Sequence, residues 1–294
     1  MKLIADSGST KTNWCLIDGE KIVEEIQSLG INPFYQSEME IRAAIMSGFQ
    51  DFKFQISNAE QDNADCHLKS DIWNVSEIFF YGAGCSFEEK KHTLKCVLEY
   101  FFPMANIEIQ SDMLGAARAL LGRNAGIACI LGTGSNSCFY DGEKITKNVS
   151  PLGFILGDEG SGAILGKLFI ADLLKNRLLE NLKNRFFEQT KTTPEEIMEN
   201  VYRKSFPNRY LAGFTHFLAE NITENSIKKL VQNSFVQFFE RNVKQYDYQN
   251  FEVHFVGSVA WYFREILTES AKISGVKIGR IEQNPMEGLM EFHK

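Results

Sequence analysis

One pattern occurs twice in this chain and limits what it can fold into. Residues 2–6 read as a short buried strand, followed by the small-residue turn Ser7-Gly8-Ser9-Thr10 and a second strand around Trp14-Cys15-Leu16-Ile17. Asp18-Gly19 is a hairpin signal, and residues 21–28 continue as a third strand. From residue 126 the same order returns: strand 126–131, the turn Thr133-Gly134-Ser135, strand 137–140, the hairpin signal Asp141-Gly142 and strand 144–149. Two antiparallel meanders of one plan predict two α/β domains, each with a Gly/Ser/Thr turn pointing into a cleft between them, where ligands often bind. The duplication is architectural and not a solenoid period. It also argues against a dinucleotide-binding unit, in which a helix follows the first glycine turn.

The remaining segments fill in around this frame. Ser37, with Glu40 three residues later, forms a capping box that predicts a helix to residue 49. Residues 58–70 are polar and read as a surface loop. Strands are expected at 77–81 and 107–110, and helices at 86–101 and 111–121. Residues 158–248 read as mostly helical, with breaks near Thr193-Pro194 and Pro207. A last inner strand covers 251–256, Gly257 opens a helix, and a short helix closes the chain from residue 286.

Composition excludes several classes. A formal net charge of −7 gives no basic face for nucleic acid, and no apolar run reaches the length of a membrane span. The six cysteines show no C-x-x-C or zinc spacing, and the five histidines, His67, His92, His216, His254 and His293, are scattered as structural or surface residues. Unpaired thiols, and an N-terminus that meets Asp6 too soon for a signal peptide, predict a cytoplasmic protein. The 24 phenylalanines are expected to be core filler.

Two turns have the residues to hold phosphate. In Asp6-Ser7-Gly8-Ser9-Thr10-Lys11-Thr12, small residues let the backbone bend and approach an anion, while amides and hydroxyls donate to it. Asp6, at the strand end, suits magnesium, directly or through water. Gly132-Thr133-Gly134-Ser135-Asn136 offers the same chemistry from the second meander. Taken singly, each also suits an ordinary polar hairpin, and neither has P-loop spacing. Asp112 follows a strand and starts a helix, which suits a carboxylate on a cleft floor and equally suits an N-cap.

These segments, together with Ser111-Asp112 and Gly157-Asp158-Glu159-Gly160-Ser161, closely resemble the N-acetylglucosamine kinase family. More broadly they resemble the BadF/BadG/BcrA/BcrD-type ATPases within the sugar kinase, Hsp70 and actin superfamily. The resemblance runs over nearly the whole chain, although residues 175–250 carry no recognisable motif. It implies two ribonuclease-H-like, actin/hexokinase-type domains. These would be residues 1–111 and residues 112–294, the latter with a helical insertion at about 165–250 and a last helix at about 285–294 packing back towards the first domain.

The resemblance also implies roles. The first turn, Asp6 to Thr12, is then the phosphate-1 segment of an ATP site; Lys11 within it suits a contact to the β- or γ-phosphate and equally suits a solvated loop lysine. Gly132, Thr133, Gly134 and Ser135 form phosphate-2, and Gly257-Ser258 lies at the adenosine. Ser7 and Ser258 stand where glycine is usual. Asp112 becomes the base that accepts the acceptor hydroxyl's proton, and Asn32, Gly153 and Asp158 join it in the sugar site. ATP and Mg2+ are the implied cofactors, an amino sugar phosphorylated at its 6-hydroxyl the implied substrate, and a homodimer the implied assembly. Two other outcomes suit the broader family: an ATPase that activates a partner reductase or dehydratase, and a non-catalytic sugar or nucleotide sensor. As a bare sequence feature, Asp158 also suits the N-cap of a helix, with acidic residues favoured there by the helix dipole.

Overall fold

Both meanders form in the computed structural model, which describes residues 1–8, 10–49 and 75–294. In the first, β1 (Lys2–Ser7) and β2 (Lys11–Asp18) pair antiparallel, and β3 (Lys21–Leu29) pairs with β2. After α1 (Glu38–Gly48), β4 (Glu77–Gly82) lies parallel to β1; after α2 (Glu88–Phe101), β5 (Asn106–Ser111) lies parallel to β4 and runs straight into α3 (Asp112–Leu121). The sheet order is β3-β2-β1-β4-β5. Ser37 and Glu40 form the expected capping box at the start of α1. The polar segment 58–70, with Cys66 and His67, lies outside the described residues.

The second meander, β6 (Gly126–Leu131), β7 (Ser135–Tyr140) and β8 (Ile145–Val149), is followed by a long helical stretch. This comprises α4 (Gly153–Leu156), α5 (Gly162–Leu174), α6 (Glu180–Thr190), α7 (Pro194–Tyr202), α8 (Pro207–Gly213), α9 (Thr215–Glu220) and α10 (Asn225–Arg241). Then come β9 (Val253–Val256), α11 (Ser258–Tyr262), α12 (Arg264–Ser274), β10 (Ile278–Glu282) and the closing α13 (Met286–Phe292). The order β8-β7-β6-β9-β10 repeats the plan of the first sheet strand for strand. By its contacts the chain forms two compact units, one of Met1–Ala119 with Met286–Lys294 and one of Leu120–Pro285.

Strand β1 shows why the first sheet must be covered on both faces. Leu3 and Ala5 join a core with Trp14, Ile41, Ala44, Leu94 and Val97, whereas Ile4 between them joins Cys15, Ile17, Tyr81, Ala119, Met286 and Leu289. Successive side chains point to opposite faces, so a strand apolar at both positions needs helices on each side. Helices α1 and α2 supply one layer; α3 and α13 supply the other. In the second unit the phenylalanines do the expected packing: Phe169, Phe186 and Phe217 meet at centroid distances of 5.2 to 5.4 Å, and Phe235, Phe238, Phe239 and Phe255 are fully buried.

Two elements were absent from the sequence reading. Strand β10 contains Gly279 and Arg280 and lacks a clean alternation. It forms because the Arg280 amide donates to His254 Nδ1 (3.0 Å) and Gly279 leaves room for the His254 ring. Helix α4 is a single turn entered through left-handed Leu152 (φ 62°). The five described cysteines are unpaired, and no described helix is long and apolar enough to cross a membrane.

Helices α5 and α8 cross closely at Gly166, where a Cβ would stand 1.9 Å from the Leu211 carbonyl oxygen. Backbone cannot yield as a side-chain tip can. Gly166→Ala is therefore expected to destabilise the protein by about 3 kcal/mol, the cost of overpacking, read as a lower urea midpoint.

Candidate active site

In the first unit the carboxyl ends of three parallel strands stand side by side, since Ser7 pairs with Gly82 and Gly82 with Ser111. Open α/β sheets bind ligands at such strand ends. Asp6 and Asp112 are both half-buried there. Burial pushes the Asp6 carboxyl up to about 7, with the Asp112 charge adding to the rise and Lys11 opposing it. Burial likewise raises Asp112, while the Met113 amide, donating to its Oδ1 at 2.8 Å, and its own amide hold it down. Ser111, not Asp112, caps α3: its hydroxyl accepts from the Leu114 amide at 3.2 Å. The cap role that Asp112 also suited thus falls to the serine.

The hairpin after β1 divides its residues between frame and surface. Ser7 and Thr12 are fully buried, and their hydroxyls lie 2.7 Å apart. Ser7 Oγ also donates to the Ile31 carbonyl (2.9 Å) and accepts from the Ile31 amide (2.9 Å), while Thr12 Oγ1 donates to Leu29 O (3.1 Å). These two side chains fasten the hairpin to the end of β3 and are not presented to a ligand. Gly8, Thr10 and Lys11 are exposed, and Ser9 lies outside the described residues.

Asn32, only 8 % exposed, follows that fastening. Its Oδ1 accepts from the Phe34 amide (3.0 Å), and its backbone N–H donates to Gln36 Oε1 (2.6 Å), so the carboxamide is fixed in orientation. Gly84 permits this. At φ +79° it presses on Asn32, and a Cβ would stand 2.1 Å from Oδ1. Gly84 and Gln36 escaped the sequence reading, although Gly82-Ala83-Gly84 directly after a strand was a usable signal.

In the second unit, Gly132, Thr133, Gly134, Ser135, Gly153 and Asp158 converge. The hairpin carbonyls cap α5: Gly162 N donates to Gly132 O (2.8 Å) and Ala163 N to Thr133 O (3.1 Å). The Gly132 amide donates within the turn to Gly134 O (3.0 Å), and no described backbone carbonyl accepts from Thr133 or Gly134 N–H. A Cβ on Gly134 would stand 3.1 Å from Asp158 Oδ2. Burial raises Asp158 to about 6 and Glu159 adds to this, against hydrogen bonds from the Ser135 and Gly153 amides and the charge of Lys167. Lys167 was not foreseen; its Nζ donates to the Phe154 carbonyl at 2.8 Å.

Asp158 is not the N-cap that the bare sequence suggested. Ser161 caps α5 through the Ile164 amide, and Asp158 adopts the left-handed conformation (φ 55°) with its amide on Pro151 O (3.0 Å). Glu159 turns away to Arg241 (2.9 Å). Gly257, at φ +125°, approaches β6 so closely that a Cβ would lie 2.3 Å from Leu131 O, and Ser258 beside it is exposed.

The chain is 46 % identical to a candidate N-acetylglucosamine kinase of Porphyromonas gingivalis, covering 100 % of this chain and 98 % of that one with a TM-score of 0.90. A second candidate N-acetylglucosamine kinase, from Chromobacterium violaceum, aligns over 100 % and 98 % of the chains at 15 % identity and TM-score 0.70. A ROK family glucokinase from Streptomyces griseus aligns over 99 % and 97 % at 13 % identity and TM-score 0.58. The latter two share the fold, which is the α/β actin/hexokinase type. No protein-family model and no curated protein matches the sequence.

A carboxyl raised in the folded state stabilises that state while protonated, and the benefit is lost as pH rises through the folded pKa. The ligand-free protein should therefore melt progressively lower between pH 4 and about 7 as Asp6 ionises. Asp6→Asn should reduce this fall, leaving the parts from Asp112, also raised by burial, and from Asp158, which ends near pH 6. It should also melt higher than wild type at pH 8, and thermal melts across this range read both effects.

Proposed function

Because the chain belongs to the N-acetylglucosamine kinase family, we propose that it transfers the γ-phosphate of ATP to the 6-hydroxyl of N-acetylglucosamine or a close amino sugar. The observation that carries this reading is Asp112. It is a half-buried carboxylate at the start of α3, relieved of capping by Ser111 and placed close enough to Asp6 to raise the Asp6 pKa.

Phosphoryl transfer needs a group to accept the hydroxyl proton as attack proceeds in line, and Asp112 is assigned that task. Asp158 accepts hydrogen bonds from sugar hydroxyls, the Asn32 NH2 group donates to the acetamido oxygen or a hydroxyl, and Gly153 admits the sugar close to backbone. A carboxylate held this way discriminates well, since a sugar lacking the matching hydroxyl leaves it unpaired.

ATP binding is assigned to Gly8, Ser9, Thr10 and Lys11 in one hairpin and to Gly132, Thr133, Gly134 and Ser135 in the other. Gly257 and Ser258 lie at the adenosine. Ser7 and Thr12 serve by holding the first hairpin in shape. Asp6 fits magnesium: it is a desolvated carboxylate whose charge Asp112 opposes, and no described group of three or more acidic, His or Cys side chains could hold a metal alone. Magnesium in phosphoryl transfer is held by one or two carboxylates plus the substrate phosphates, whose developing charge it neutralises. Asp6 is its assigned ligand, directly or through water.

A coupled ADP-release assay across amino sugars tests the reading; no sugar-dependent release from any of them would end it. Asp112→Asn should lower kcat about a thousandfold while calorimetric sugar affinity stays near wild type, and near-normal turnover would remove Asp112 as base. Asp158→Asn should raise KM for the sugar with KM for ATP unchanged.

A further inference from the structure

The chain's last helix returns to the first unit and ends on a buried histidine. Helix α13 packs on β1 through Met286 and Leu289, and Gly288 rests on α3 so closely that a Cβ would be 2.2 Å from Ala119 O. Cys15 Sγ donates to Met290 Sδ at 3.3 Å. Beyond the helix, His293 is 9 % exposed; its ring stacks on Phe79 at 3.7 Å, and its carbonyl accepts from Lys2 Nζ at 2.6 Å.

The polar contacts of that ring lead to Asp112. His293 Nε2 and Tyr81 Oη share a hydrogen bond of 2.7 Å. Tyr81 stands in register with Asp6 on β1, and its ring lies against Gly115, where a Cβ would be 2.8 Å from the ring carbons. Tyr81 Oη accepts from Arg118 Nη1 (2.8 Å), which also donates to Glu108 on β5 (2.9 Å), and the Arg118 guanidinium lies 4.9 Å from the Phe292 ring centre. Gly115 and Arg118 lie roughly one and two turns beyond Asp112 on α3. Helix α3 is thus held at successive turns by Tyr81, and Tyr81 is held by the C-terminus.

We infer that His293, acting through Tyr81 and Arg118, is a positioning residue that sets the register of α3 and so the place of the Asp112 carboxylate. Apolar packing alone would bury these surfaces as well, but it does not fix rotation or sliding of a helix; directional hydrogen bonds do. The inference rests on Asp112 being the base, and displacements on the ångström scale at such a group cost large rate factors.

The test compares His293→Leu, which keeps volume, with His293→Gln, whose amide can reach Tyr81, and with Tyr81→Phe, which removes only the hydroxyl. His293→Leu and Tyr81→Phe should lower kcat about tenfold with both KM values unchanged, and His293→Gln should recover it. Amide exchange over residues 113–120, measured without substrates, should quicken in the first two and stay slow in His293→Gln. Tyr81→Phe carries the test if His293→Leu fails to fold. Wild-type kcat together with wild-type exchange in both Tyr81→Phe and His293→Leu would overturn the inference, as would losses confined to KM. The exchange arm still decides if the wild-type protein phosphorylates no amino sugar, an outcome that would sink the kinase reading alone.

Discussion

Two like charges held close at the end of one sheet set the terms for the rest of the first unit. Asp6 and Asp112 repel one another in a partly dry setting, so the ligand-free protein keeps a proton on the pair well above the ordinary carboxylate range. A fold selected for stability alone would place an amide or an apolar residue at one position. Retaining both carboxylates accords with the proposed function, in which a cation would complete the site. The surrounding structure supplies the rigidity this requires: β1 is covered on both faces, and the hairpin that follows is fastened by buried hydroxyls.

The sequence showed the frame more clearly than the fastenings. Alternation and turn residues predicted the strands of both meanders, because each depends on neighbours two to four positions away. Ser7 and Thr12 were read as phosphate donors because a local motif does not reveal that Ile31 and Leu29 would take their hydroxyls. Asp158 resembled a cap for the same reason. Its left-handed conformation is sustained by Pro151 and by the approach of the second hairpin, and neither is visible in a six-residue window. His293 was set aside as structural or surface; its partner Tyr81 is 212 positions away, beyond any spacing rule.

The duplicated plan is anchored differently in its two copies. In the first hairpin, side-chain hydroxyls grip the segment after β3. In the second, hairpin carbonyls take the first amides of α5, so the long helix and the turn fix one another. The first solution buries its donors, and the second leaves backbone amides unclaimed. The first hairpin therefore offers an anion chiefly the exposed residues Gly8, Thr10 and Lys11, and the second offers main-chain N–H groups at Thr133 and Gly134.

Environment, more than residue type, then separates the duties of the three aspartates. Asp158 is raised by burial, yet the Ser135 and Gly153 amides and the Lys167 charge favour its ionised form, which suits a fixed acceptor for hydroxyl donors. Asp112 is raised by burial, lies close enough to Asp6 for the two charges to repel, and receives amides at its own helix start, which suits the proposed group that takes up a proton at one moment and releases it afterwards. Asp6, pushed up to about 7 by burial and the Asp112 charge with Lys11 opposing the rise, is the carboxylate whose charge a metal ion would relieve in the proposed reaction. The three proposed roles thus follow from the donors and charges that each backbone position brings to the same amino acid.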